Sequence, residues 1–271
     1  MTVAEVVFST SKRTTALVAV VTAILGICVA FSLVPGVAGD AFWGNVPFAI
    51  VSGGLAALVL HLALTLPAGT RVRRQAILLS VGVLSYAVGD IVWLVYELGL
   101  DVSAPYPGAP DVFYGPLFYL PMSLALWSAV LNMRRLDRSL IPFATGAAVS
   151  VLAFAFLWVT TIAGALKAPY ASTSGKLVAV AYPAADCFAL LLPVVALCVM
   201  FMRLGGTQLS RPWWNIAAAA FIMAGADAIY VSLQAHGAYV TGLWLDVVWL
   251  LAFALIAIGA SRLVDVHRLG A

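Results

Sequence analysis

Charge is what this sequence has least of. Only 9% of its 271 residues are Asp, Glu, Lys or Arg, while 64% are hydrophobic and the mean hydropathy is +1.08. Soluble domains carry about 25% charged residues, and that much apolar surface cannot be hidden in a globule of this size. Lipid must therefore solvate most of it. The net charge of +3 is small, and no basic patch interleaved with aromatics occurs, which leaves no footing for nucleic acid.

Cysteine and histidine are also scarce. Cys28, Cys187 and Cys198 all fall within apolar runs, with neither metal-ligand spacing nor a place in an outer loop where a disulfide would form. They are expected to pack as small hydrophobes. His61 lies near the inner end of one apolar run and His236 near the outer end of another, so the two are not at one depth and do not suit a shared haem. His267 lies in the tail. No lysine sits inside an apolar run, which argues against a retinal Schiff base. HExxH, Walker, GxSxG and CxxC patterns are absent. No cofactor is predicted, and whether a metal binds stays open.

What is present is a series of apolar runs of roughly 20 residues, the length a helix needs to cross a core about 30 Å thick. They fall at about 14–36, 46–67, 75–99, 111–132, 141–165, 177–202, 212–235 and 240–263. Breaks at Pro35-Gly36, Pro67-Ala68-Gly69, Pro105 to Pro110 and Gly205-Gly206 carry turn chemistry. The first run follows Lys12 and Arg13 but is longer than a signal-peptide core of about 7–15 residues, so it reads as a retained span. The fold class predicted is all-α: a polytopic membrane helical bundle of eight transmembrane helices in a single domain, 1–271.

Twelve of the fourteen basic residues fall in loops on one side of these spans; Lys167 and Lys176 alone fall on the other. By the positive-inside rule both termini are expected in the cytoplasm, in a multi-pass protein of the cell membrane.

The third and seventh runs resemble each other. Asp90, Trp93 and Glu97 stand in register with Asp227, Tyr230 and Gln234, at spacings that share one helix face. The next runs follow suit: Asp111, Tyr114 and Phe118 against Asp246, Trp249 and Phe253. Each pair of runs has the same direction, so a parallel 4+4 repeat is predicted, although the first two runs of each half show no clear match.

Ionisable groups in hydrocarbon are costly and usually face a protein interior or a water-filled cavity. Six acids lie in or at the edge of the spans: Asp90, Glu97, Asp111, Asp186, Asp227 and Asp246. Asp90 and Asp227 sit about 14 residues past the inner ends of their helices, roughly 21 Å up the core. The others lie at that level or nearer the outer surface. With Trp93, Tyr114, Tyr230 and Trp249 they predict an acidic, aromatic pocket in the outer half, suited to a small molecule or cation arriving from outside. The alternative for each acid is a hydrogen bond to a Tyr, Trp or Ser that ties helices together.

The stretches Gly89-Asp90…Trp93…Tyr96-Glu97, Tyr106-Pro107-Gly108-Ala109-Pro110-Asp111-Val112-Phe113-Tyr114, Ala181-Tyr182-Pro183-Ala184-Ala185-Asp186 and Ala226-Asp227-Ala228-Ile229-Tyr230…Gly242…Asp246…Trp249-Leu250 also resemble, in this order, a bacterial membrane domain. That domain precedes GGDEF and EAL modules in actinobacterial cyclic-di-GMP signalling proteins. The resemblance covers about residues 75–263 and implies a multi-pass sensory domain. No GGDEF or EAL sequence occurs in these 271 residues, so cyclase activity is not expected, and signalling would need a separate cytoplasmic partner. Two rival expectations stand beside this non-enzymatic sensory reading: a cation- or proton-coupled transporter, and an intramembrane hydrolase or lipid-modifying enzyme using carboxylates.

Overall fold

A computed structural model describes residues 12–37, 39–103, 105–167, 172–204 and 210–270; the Gly205-Gly206 break lies outside them. Among the described residues there are no strands, and eight helices are long and apolar enough to cross a membrane. They are α1 (Thr14–Ser32), α2 (Val46–Leu64), α3 (Arg71–Gly99), α4 (Ala109–Met133), α5 (Ile141–Lys167), α6 (Thr173–Arg203), α7 (Arg211–Ala235) and α8 (Trp244–Arg268). The protein is an all-α, multi-pass membrane bundle.

Local chemistry sets the helix ends. The Thr70 side chain accepts from the Arg73 N–H at the start of α3, and Ser172 accepts from Gly175 at the start of α6, each satisfying an orphan donor. Proline occupies the first turn of α2, α5 and α7, where no N–H is needed. The last helix begins at Trp244, later than the apolar run suggests, because Gly242 turns with φ +85° just before it.

Several helices are deliberately irregular. A non-helical Gly115 followed by Pro116 splits α4 into Ala109–Tyr114 and Pro116–Met133. Wide π-type turns occur at Val95–Gly99 in α3, Trp158–Ile162 in α5 and Asp186–Leu191 in α6. Such turns leave the regular ladder, and the one in α6 begins three residues after Pro183, which has no N–H to give.

Six helices close into a ring in the order α2, α3, α4, α6, α7, α8, with α8 returning to α2. Exchanging α2 with α6, α3 with α7 and α4 with α8 maps this ring onto itself, so the packing order follows the repeat for three helices of each half. The outer helices depart from it. Helix α1 lies on α8, whereas α5 lies on α6 and touches α7. At Gly146 of α5 an added Cβ would stand 2.7 Å from the Leu192 carbonyl oxygen, so the absence of a side chain is what lets α5 approach α6 so closely. The outward faces of both outer helices are apolar and exposed, as at Ile27, Leu33, Leu152 and Val159, and meet lipid.

The start of α1 and the end of α8 share one face. Thr14 Oγ1 lies 2.8 Å from Ser261 Oγ and donates to Asp265 Oδ2 at 2.6 Å, joining the start of α1 to the end of α8. This terminal face also carries Arg71 on Asn132 (2.8 Å), Arg262 on Asn215 (2.7 Å) and Arg203 on Asp137 (2.8 Å). The Asp137 carboxyl is held below the usual carboxylate range, first by the Ser139 N–H and then by the Arg203 guanidinium.

Candidate functional site: an acidic aromatic chamber

Near the opposite face the six ring helices surround a cavity of about 80 Å³. That exceeds by several-fold the roughly 10–15 Å³ one water needs. Every ring helix contributes to its wall, and neither α1 nor α5 does.

Eight of the ten residues singled out in the sequence line it: Asp90, Trp93, Asp111, Tyr114, Asp227, Tyr230, Asp246 and Trp249. The two others stand one layer back. Glu97 accepts from Asn45 Nδ2 (2.7 Å), Trp93 Nε1 (2.8 Å) and Thr241 Oγ1 (3.0 Å), so it latches α2, α3 and the α7–α8 connection at the rim. Asp186 is 1% exposed and reaches the chamber only through Tyr119.

Positions paired by the predicted repeat make matching hydrogen bonds. Tyr114 donates to Asp90 Oδ1 at 2.9 Å, and its counterpart Trp249 donates to Asp227 Oδ1 at 2.7 Å. Trp93 donates to Glu97 in α3; in α7 the counterpart pair Tyr230 and Gln234 is also bonded, with Gln234 donating at 2.9 Å. The Gly108 N–H bonds Asp111 Oδ2 at 2.7 Å, and the Gly242 N–H bonds Asp246 Oδ2 at 2.6 Å. These last two carboxylates sit in the first turn of their helices, where the free N–H groups and the helix dipole favour negative charge. Each also accepts from a tyrosine, Tyr182 for Asp111 (2.6 Å) and Tyr239 for Asp246 (2.9 Å). Burial, and next the Asp246 carboxylate, keep the Tyr239 phenol well above its ordinary range, so it remains a donor.

Close packing fixes these donors. An added Cβ at Gly89 would stand 2.5 Å from Tyr114 Cε1, so the tyrosine ring lies directly against the α3 backbone one residue before its acceptor. Tyr86 of α3 meets the Tyr114 ring, tilted, at 4.4 Å and Phe253 edge to face at 4.7 Å, and on the other side of the chamber Tyr230 meets Tyr239 at 4.9 Å and Trp249 at 5.6 Å, both edge to face. Such edge contacts lock ring orientation.

Sequence reasoning did not single out Asn45, Tyr86, Tyr119, Tyr239 or Thr241. Tyr86 carried a readable signal, since it stands four residues before Asp90 on the same helix face. Tyr239 and Thr241 lie in a connection, where no periodicity points.

The chamber's chemistry is one-sided. Eleven of the twenty lining residues are aromatic and four are aspartates, while none is Lys, Arg or His. Each carboxylate already accepts at least one bond from the protein, yet a carboxylate offers about four lone-pair sites, so capacity for a donor ligand remains. Among the described residues no group of three or more His, Cys, Asp or Glu is placed to hold a metal ion. The three cysteines are free and buried.

A second cavity of about 340 Å³ lies at the terminal face, walled by α3, α4, α6, α7 and α8 and including Gln75, Asn132, Trp213 and His267. Buried Leu79, Met122, Leu126, Ile216, Met223 and Ala257 occupy the helix positions between the two cavities.

Fold and site thus define a polytopic helical membrane protein with an acidic, aromatic chamber. Comparison with protein-family models, curated proteins and solved structures finds no match to this chain.

Proposed function

We propose that this is a non-enzymatic sensory or ligand-binding protein of the cell membrane, which takes an organic cation from the outer side into the chamber of the six-helix ring. The observation that carries this reading is a wall of four aspartates and eleven aromatic rings with no basic side chain. An amine or quaternary ammonium is what such a wall complements: the carboxylates supply opposite charge, and the ring faces supply cation–π attraction of about 0.5–2 kcal/mol per contact. The distribution of basic residues supports an orientation with both termini in the cytoplasm and the chamber toward the outside. The resemblance to input domains of cyclic-di-GMP signalling proteins supports a sensory role.

Calorimetric titration of the purified protein with choline and with its uncharged carbon isostere tests this. Choline binding without isostere binding is expected, weakened at least tenfold in Asp227→Asn and roughly 2- to 30-fold in Tyr230→Leu. Equal binding of the two, or an unaltered isotherm in folded Asp227→Asn, rejects the reading.

One observation favours a second reading, a cation transporter. Five of the six ring helices also wall the cavity at the terminal face, and the packing order of the ring follows the predicted repeat, an arrangement found among transporters. Choline flux into proteoliposomes, lost in Asp227→Asn, would select transport over sensing.

A further inference from the structure

Tyr119 of α4 stands between two carboxyl groups. Its hydroxyl oxygen lies 2.8 Å from Asp186 Oδ1 on α6 and 2.9 Å from Asp227 Oδ2 on α7. A phenol has one proton to give. Two contacts of hydrogen-bond length around that oxygen need a second proton, and one of the two carboxyls must supply it.

The remaining bonds show which. Asp227 accepts from Trp249 Nε1 at its other oxygen and is thereby served as a carboxylate on both. Asp186 is 1% exposed, and its Oδ2 has no partner among the described residues. An ionised carboxylate with a bare buried oxygen carries a heavy desolvation penalty, whereas a neutral acid donating from Oδ1 to Tyr119 does not. No Lys, Arg or His among the lining residues offsets the charge. The titratable groups around the triad are Tyr182 and Cys187 on α6, Tyr230 on α7, Asp111 at the start of α4 with Tyr106 just before it and, across the chamber, Tyr86, Asp90 and Asp246; α5 has none before Lys167.

We propose that Asp186, Tyr119 and Asp227 form a proton-binding site in which Asp186 is a neutral acid whose proton exchanges with the chamber through Tyr119 and Asp227. In the exchange Asp186 passes its proton to the Tyr119 oxygen while Tyr119 passes its own to Asp227 Oδ2. Tyrosine ends unchanged, Asp186 becomes the carboxylate and Asp227 the acid; Asp227 then loses its proton to water in the chamber it lines. The site needs no cation in the chamber, so it stands or falls independently of the ligand proposed above.

Infrared spectroscopy of the purified protein reads the site directly, because a carboxylic acid absorbs apart from a carboxylate. An acid carbonyl band present in the wild type and lost in Asp186→Asn is expected. In Tyr119→Phe the band should persist, move to higher wavenumber as its hydrogen bond is lost, and exchange in D₂O at least tenfold more slowly. A band unaffected by Asp186→Asn, or exchange as fast in Tyr119→Phe as in the wild type, overturns the proposal. Should Asp186→Asn fail to fold, carbon-13 aspartate labelling of the wild type and Tyr119→Phe decides between the same outcomes: a shifted, slowly exchanging acid band supports the site, and superimposable spectra reject it.

Discussion

Trp249 donates its indole N–H to Asp227 at 2.7 Å, bonding α8 to α7 at the point where Tyr114 bonds α4 to α3 in the other half of the ring. The two donors differ in chemistry and keep the same partner position. What the two halves share here is a bond between neighbouring helices at the chamber wall.

Removing either donor leaves a carboxylate short of a partner in a poorly hydrated wall. Tyr114→Phe and Trp249→Phe are each expected to lower stability by about 1–3 kcal/mol. Thermal unfolding in detergent measures this. The Trp249 variant should lose more, since Trp249 is buried and also packs on Tyr230.

Gly89→Ala tests whether ring position matters apart from bonding capacity. The new methyl would meet the Tyr114 ring and push it away from Asp90. Choline affinity is expected to fall at least fivefold while Tyr114 itself remains. Unchanged affinity with unchanged unfolding temperature would mean that the ring relocates freely.

Asp137 provides a pH prediction on the terminal face. Its carboxyl titrates below the usual range when folded, so its contribution is present above the unfolded value and disappears as pH falls through the folded one. Asp137→Asn should lower the unfolding temperature slightly at neutral pH, by the small amount typical of an exposed pair, and should make no difference in acid below the folded value. A deficit that persists in acid would assign it to something other than the Ser139 and Arg203 bonds.

Orientation is open to labelling, because all three native cysteines are buried and give little background. A thiol placed by Ser103→Cys, in the α3–α4 connection, should react with a membrane-impermeant reagent in intact cells. One placed by Arg138→Cys, in the α4–α5 connection, should react only after permeabilisation. The reverse pattern would invert the proposed topology.

Much of this architecture was legible because lipid imposes a length and a charge rule on every span. The depth of Asp90 and Asp227 followed from rise per residue, and the facing of Trp93 and Tyr230 from helical periodicity. Rotation at irregular points was not legible. Tyr119 points between Asp186 and Asp227 only after Gly115-Pro116 has reset α4, and Asp186 turns behind the wall at a widened turn in α6. Depth alone put Asp186 among the lining residues, since nothing periodic survives such a turn. The ring order was hidden for another reason: α1 and α5 resemble the other spans in composition and yet stand outside the ring.

The repeat is uneven at one place. In the register that pairs Phe118 with Phe253, Tyr119 corresponds to Ala254, a buried residue with nothing to donate. One half of the ring therefore ends in a phenol tied to a second acid and the other in a methyl group. A guest in the chamber meets Tyr119 but not Ala254, so the two halves of the wall are unequal. It enters a polarised chamber with a head and a tail, so an unsymmetrical molecule has one preferred way to lie, and the matching halves of the wall do not create two interchangeable berths.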